Sequence, residues 1–402
     1  MKVLKPLSLE ERSKANPALL DIISYRKSGL SLNHIIGCSL DCAYCVRHFF
    51  DNFSMKTPKL ICSDKEAVDQ LVNHRFFIPN VTPIQIFNRA TDPFLSGVKN
   101  HTHKVLKMLD NKGFTNLILL ITRANVSKED VDLLEELQNL KVTVLVTYSG
   151  INNAKLEPIS TTNITTNSIK TISENRNRIK LILYWRPIVE GWNDNSSCFD
   201  RVFDMAQYVD AIVYTGYYHR PENYEYLKGL NLEPEYQDFE RRKFLPNTLE
   251  RRILDAYSKT RLKVPLFRKT SCGVTYAHHL PDYNGHWGVN EICDICPSGQ
   301  REKCAVNYKN PSDKEFHSLL TQLDYETTFL HEKGHFWTEN LGEEKRYHIQ
   351  HILGYQIWDI DKPHFKEQHG RSTFGQKASD ANLKWYNDKR HEFYNEVIKD
   401  DD

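Results

Sequence analysis

Six short apolar runs separated by helical patterns limit what this 402-residue chain can fold into. They lie at residues 32–36, 84–87, 117–122, 142–147, 181–185 and 211–214. Near-continuous Val, Ile and Leu character predicts strands buried on both faces, as in a parallel sheet. Helix patterns fill the gaps. Residues 103–109 put Val105, Leu106, Met108 and Leu109 on one stripe, and Ser127 suits the N-cap of a helix over 128–140, with Asp130 three residues on. Ile169 and Ile172 mark another helix, and residues 202–208 a further one. The class is therefore α/β, and six β units joined by helices suit a partial (βα)6 barrel. Such barrels place their chemistry at the C-terminal ends of the strands. Residues 264–267 are a candidate for one more strand, which would deliver Cys272 just past its end.

Beyond Gly216 the pattern loosens. Residues 217–252 are rich in Tyr, Glu and Arg and read as loops and a polar helix. The predicted division is a barrel over 1–262, a cysteine-rich segment over 263–310 and a mostly helical C-terminal extension over 311–402. Lys and Arg total 53 against 52 Asp and Glu, so overall charge gives no argument for nucleic acid or membrane. Residues 1–16 lack the apolar region of a signal peptide, and runs such as 117–121 are too short to span a bilayer. The expectation is a soluble cytoplasmic chain with no membrane partner.

In a reducing compartment, clustered cysteines are metal ligands more often than disulfides. Seven of the nine cysteines fall into two groups, which leaves Cys62 and Cys198 as packing residues. The first group is Cys38, Cys42 and Cys45, with Tyr44 just before the third thiol. Three thiolates can hold three irons of a [4Fe-4S] cluster and leave the fourth open. Zinc, by contrast, wants four ligands in a closed site. The spacing resembles the C-x3-C-x-aromatic-C motif of the radical S-adenosylmethionine (SAM) superfamily. That resemblance implies SAM chelated at the open iron, reductive cleavage of its sulfonium, and removal of hydrogen from a substrate by the radical produced. It also implies an electron donor such as a flavodoxin or ferredoxin.

The core from Leu32 to Trp192 resembles the spore photoproduct lyase branch of that superfamily. The match is carried by Thr91-Asp92, by Asn100-His101-Thr102-His103, by Ile121-Thr122-Arg123, by Ser149, by Glu157-Pro158 and by Glu190-Gly191-Trp192. The resemblance implies that Thr91, with Asp92 beside it, meets the SAM amino group and Arg123 its carboxylate. Ser149 would lie near the ribose and Tyr44 near the adenine. A guanidinium suits the carboxylate because it grips both oxygens. One departure stands out. The lyases keep a cysteine hydrogen donor just before the Thr/Ser-Asp pair, where this chain reads Asn88-Arg89-Ala90.

The second group is Cys272, Cys293, Cys296 and Cys304. Four thiolates complete a tetrahedral or cubane ligand set. The lyases lack it, and it resembles the auxiliary clusters that other radical SAM enzymes carry after the barrel. A second [4Fe-4S] cluster is expected, with structural zinc or free thiols as the alternatives. His331-Glu332 and His335 match H-E-x-x-H literally, but Gly334 weakens a helix there and no third-ligand signature follows, so these read as surface histidines. Tyr214, Tyr217, Tyr218, His219 and Arg220 follow the sixth run, where Trp185, Arg186 and Trp192 could join them. Aromatics beside Arg can stack and pair with a nucleobase or phosphate. Glu250-Arg251-Arg252 reads as a solvated helix face. The substrate expected is a nucleobase, nucleotide or nucleic acid. Modification of a peptide or small metabolite, and a non-catalytic iron–sulfur protein, are the alternatives.

Overall fold

The computed structural model describes residues 3–159, 161–235, 245–332 and 334–359. In chain order its strands are β1 (Ile23–Arg26), β2 (Gly29–Leu32), β3 (Ile35–Ile36), β4 (Lys59–Leu60), β5 (Ile84–Ile86), β6 (Leu117–Thr122), β7 (Lys141–Tyr148), β8 (Lys180–Ile188), β9 (Ala211–Gly216), β10 (Leu266–Phe267), β11 (Phe329–Glu332), β12 (His335–Thr338) and β13 (Gln356–Asp359). Eight of them form one sheet in the order β1-β2-β5-β6-β7-β8-β9-β10. β1 and β2 are an antiparallel hairpin, and every later neighbour in this sheet is parallel. The parallel run thus has seven strands. Its seventh is β10, inside the candidate segment 264–267.

Period-2 alternation divides the side chains between the two faces. Leu119, Leu145, Ile182 and Val213 share one face with Phe267 and Cys272, while Ile118, Val144, Leu183 and Ile212 join the larger core on the other. The larger core includes Val105, Leu106, Val131, Ile169, Ile172 and Val202, which the connecting helices supply. These helices are Lys99–Asp110, Lys128–Glu135, Thr161–Asn175 and Ser196–Met205. The Ser127–Asp130 pair forms the expected capping box. That helix stops at Glu135, short of 140, because the Asp110 carboxylate takes the amides of Gln138, Asn139 and Leu140 in a turn. The opposite face receives helix Thr270–Ala277. A Cβ on Gly273 would come within 2.5 Å of Val213 Cγ2, so glycine is what lets this helix lie against β9.

Two expectations change. The run at 32–36 is not one strand. β2 ends at Leu32, where buried Asn33 turns the chain out of the sheet by donating its amide to Ile22 O and its side-chain NH to Ser31 Oγ. β3 then pairs with β4 in a separate two-stranded sheet. The segment from 311 is also less helical than expected. Up to Asp359 it holds helices Asp313–Gln322 and Glu343–Leu353 and the three-stranded sheet β11-β12-β13. Two short runs that each hold an adjacent apolar pair, Phe329-Leu330 and Phe336-Trp337, pair across a turn at Gly334 (φ +93°) and make a hairpin where a helix was expected. The rest of that extension, 360–402, lies outside the described residues. Among the described residues no helix is long and apolar enough to cross a membrane.

Candidate active site at the strand ends

Beyond β3 the chain forms the loop that carries the first cysteines. Backbone bonds pin it at both ends: Gly37 N donates to Ala90 O (3.0 Å), Cys38 N to Met55 O (3.1 Å), Ala43 N to Leu156 O (2.9 Å) and Cys45 N to Cys42 O (3.0 Å). Asn223, fully buried, donates to the carbonyls of Tyr44 (2.8 Å) and Cys45 (3.1 Å). Cys38 and Cys42 are buried and Cys45 half-buried. Burial, reinforced by the neighbouring Cys45, pushes the Cys38 and Cys42 thiols up to about 12 each. They become thiolates only together with a bound cation, so ligation and deprotonation are coupled.

Tyr44, Arg123 and Glu157 meet behind this loop. Arg123 Nη1 lies 2.5 Å from Tyr44 Oη and 3.0 Å from Glu157 Oε1, and its guanidinium sits 5.1 Å from the centroid of the Tyr44 ring. The Tyr44 hydroxyl also donates to Glu157. Burial opposes the charge on Arg123, but Tyr44, Cys42 and Glu157 outweigh it and hold the guanidinium protonated. Arg123 Nη2 donates to Arg186 O (3.3 Å). The structure thus brings together Tyr44 and Arg123, two of the candidate site residues. Glu157 was quoted only as part of a resemblance, and its role as the anionic partner of both emerges from the structure.

Asp92 is a clamp. Its carboxylate accepts from Phe94 N (3.0 Å), Thr122 Oγ1 (2.7 Å) and Arg123 N (2.7 Å), so the end of β5 fixes where β6 delivers Arg123. Burial raises its pKa, and these donors oppose the rise. Ser149 is buried at the end of β7, where its Oγ accepts from Ile151 N (3.2 Å) and its carbonyl from Asn193 Nδ2 (2.5 Å). The face that is apolar at Leu119, Leu145 and Ile182 turns polar two or four residues on, at Arg123, Thr147 and Arg186. Several polar atoms there are buried without a partner: Asn88 Oδ1, Thr91 Oγ1, Thr147 Oγ1 and Arg186 Nε. Unpaired buried polar atoms are rare in a folded chain and mark a place where a ligand or water completes the bonding.

The aromatic group divides. Trp192 lies between Tyr44 and Tyr217, with ring centroids 5.9 Å from each, and Tyr217 meets His219. Arg220 covers Phe49. Trp185 and Tyr214 instead belong to the helix-covered core: Trp185 packs on Phe199 and Phe203, and Tyr214 donates to Glu250 (2.7 Å). Glu250 is therefore not on a solvated face. It is 3% exposed and also pairs with Arg268 (2.7 Å). Sequence gives no sign of this, because the partners come from strand and loop segments far along the chain.

Of the second cysteines, Cys272 belongs to that apolar face and Cys296 packs against it. Cys272 lies in helix Thr270–Ala277, Cys293 ends helix Asn290–Cys293, and Cys304 lies in helix Ser298–Asn307. Burial first, then Asp282 and the other three cysteines, raises the Cys272 thiol well above its ordinary value. Asp282 and His286, which sequence reasoning missed, join them. Cys272 Sγ lies 3.8 Å from Asp282 Oδ1 and from His286 Nδ1, and Asp282 N donates to Cys304 Sγ (3.4 Å). Arg268 reaches Asp294 beside Cys293. A D-x3-H spacing beside clustered cysteines was the available signal.

Among the described residues, two groups of three bring all their ligand atoms within 4.8 Å of one another: His34, Asp64 and His101, and Cys272, Asp282 and His286. Neither cysteine set has three thiols that close. The H-E-x-x-H match forms no site. His331 stacks on Phe336 and His335 on Trp358, on opposite faces of the β11-β12 hairpin. They are packing residues rather than surface ones. Cys198 is fully buried against Gly150, whose φ of +69° and lack of a Cβ leave room for its sulfur. Cys62 is half-buried near Glu66 and Asp64.

No family model matches the chain, and no curated protein does. Solved structures are similar to it. A spore photoproduct lyase mutant with dinucleoside spore photoproduct is 17% identical over 61% of this chain and 65% of that chain, with a TM-score of 0.35. Another spore photoproduct lyase mutant is 14% identical over 61% and 78%, with a TM-score of 0.44. Streptococcus suis SuiB bound to S-adenosylmethionine is 10% identical over 63% and 53%, with a TM-score of 0.40. The chain thus spans just under two thirds of the first of these and about half of SuiB.

Proposed function

We propose that the chain is a radical SAM enzyme whose cluster is held by Cys38, Cys42 and Cys45. The observation that carries this is the spacing and setting of those thiols. One pinned loop carries all three, two of them buried. Three thiolates can hold three irons of a cluster and leave the fourth open, whereas zinc takes a closed set of four. When bound there, a [4Fe-4S] cluster supplies the electron that cleaves SAM, drawn from a flavodoxin or ferredoxin.

The chain's own residues supply the pocket. Thr91 Oγ1 is a free acceptor for the SAM amino group. Arg123, held protonated, is the cation we assign to the carboxylate. Tyr44 and Trp192 present rings to the adenine, and Ser149 lies where a ribose would reach. The test is SAM added to the reduced, reconstituted chain. The EPR signal of the first cluster should change shape, and an unchanged signal would reject SAM binding at that site.

For the substrate we propose a nucleobase or nucleotide, supported by the Trp192–Tyr217 pair and by Arg186 and Arg220 near the strand ends. Asn88-Arg89-Ala90 lies against the cysteine loop through the Ala90 carbonyl and brings no thiol there. Restoration of two thymines from a spore photoproduct dinucleotide should therefore be absent or far slower than SAM cleavage. Repair at a matching rate would show that another donor replaces the missing thiol. For the second set we propose an auxiliary [4Fe-4S] cluster on Cys272, Cys293, Cys296 and Cys304. Zinc on Cys272, Asp282 and His286 is the competing reading, favoured by their close grouping. Metal analysis of the purified chain decides between them.

A further inference from the structure

Arg47 stands two residues past Cys45, in the short turn Val46–His48, and is 1% exposed. One edge of its guanidinium is spent: Nη1 donates to Met55 O (2.9 Å) and lies 3.3 Å from Phe53 O and 3.5 Å from Asn52 O. The other edge is not, because Nε and Nη2 are buried and meet no acceptor. Among the described residues no carboxylate pairs with it. Arg123, Arg268 and Arg346 each have one, in Glu157, Glu250 and Asp359. Met55 O also accepts from Cys38 N, so a single carbonyl ties Arg47 to the first cysteine. Lys56, the other cation that acts on Cys38, is already paired with Asp41. A buried cation with two unspent donors calls for a buried anion.

We infer that the free edge of Arg47 donates to the sulfurs of the cluster held by Cys38, Cys42 and Cys45, and so raises its reduction potential. This rests on the reading of that site proposed above. A cluster on three thiolates carries net negative charge that grows when an electron is added. A fixed cation therefore favours the reduced state more than the oxidised one, and hydrogen bonds to sulfur act in the same direction. Arg47 is a positioning and tuning residue here, not a catalytic one.

The test is a potentiometric titration of the full reconstituted chain followed by EPR. The relevant signal is the one that changes when SAM is added. If the wild-type chain shows no such signal, the reading of the first site fails, whatever Arg47 does. With the signal present, Arg47→Gln should keep it while the midpoint moves negative by about 59 mV or more, a tenfold shift of a one-electron equilibrium. Arg47→Lys keeps the charge but loses the planar fork, and should fall between the two. An unchanged midpoint in Arg47→Gln overturns the inference. If Arg47→Gln does not fold, the wild-type chain decides. Pulsed EPR of the reduced, SAM-responsive cluster in protein grown with isotope-labelled arginine should show a nitrogen coupling that Arg47→Lys loses. A coupling that is absent, or that survives in Arg47→Lys, overturns the inference.

Discussion

The two cysteine sets are built in opposite ways. Cys38, Cys42 and Cys45 sit on one loop, with backbone bonds at its edges and a half-buried third thiol beside unpartnered polar atoms at the strand ends. Cys272, Cys293, Cys296 and Cys304 come from helices and turns packed onto the apolar face, sealed by Gly273 and tied down by the Arg268–Glu250 and Arg268–Asp294 pairs. The first has three thiols, two of them buried, and the second has four, of which Cys272 is buried and the others half-buried. Three thiols can leave one cluster position open to a ligand, whereas four can close a site and tie segments of the chain together.

The largest effect should come from emptying the second set. Cys293→Ser with Cys296→Ser should cost several kcal/mol of stability, because metal binding there is folding energy. Thermal melting of the purified chain would show it, and an unchanged midpoint would mean that the second set is not structural. The next comparison sets one buried ion pair against another. Arg123→Met and Arg268→Met each leave a buried carboxylate without its cation and should each lose about 3–5 kcal/mol. Only Arg123→Met should also weaken SAM binding, measured by equilibrium titration. Equal loss of SAM affinity in both would erase the distinction between the sites. A smaller effect is expected from Gly273→Ala. Its methyl would press on Val213, with a cost of about 1–3 kcal/mol for overpacking. Metal retention at the second set should fall while SAM cleavage per first cluster holds. The reverse pattern would place the catalytic site on the wrong cysteines.

Much of this was legible in the sequence because it is local. Strand β6 is the run at 117–122 residue for residue, and the Ser127–Asp130 box lies three residues apart. The two cysteine sets announce themselves by spacing. What was not legible depends on distant partners. Glu250 looks solvated in a run with Arg251 and Arg252, yet it is buried by Tyr214 and Arg268, 36 and 18 residues away. Asp282 and His286 acquire meaning only once Cys272 and Cys304 fold onto them. Residues 32–36 look like one strand because both halves are apolar, although they pair with different partners on either side of Asn33. The hairpin at β11-β12 was missed because the charged, aromatic character of the segment from 311 reads as helical, although Gly334 weakens a helix there.

The central claim is that the three-thiol loop, and not the four-thiol set, cleaves SAM. It is tested most directly by 5′-deoxyadenosine release from SAM under dithionite, run anaerobically on reconstituted wild type and on a chain with Cys38→Ala, Cys42→Ala and Cys45→Ala. The wild type should bind about eight irons, four per cubane, and release 5′-deoxyadenosine. The triple variant should keep about four irons and its brown colour, yet release none. Equal release from both chains would contradict the assignment of the active site.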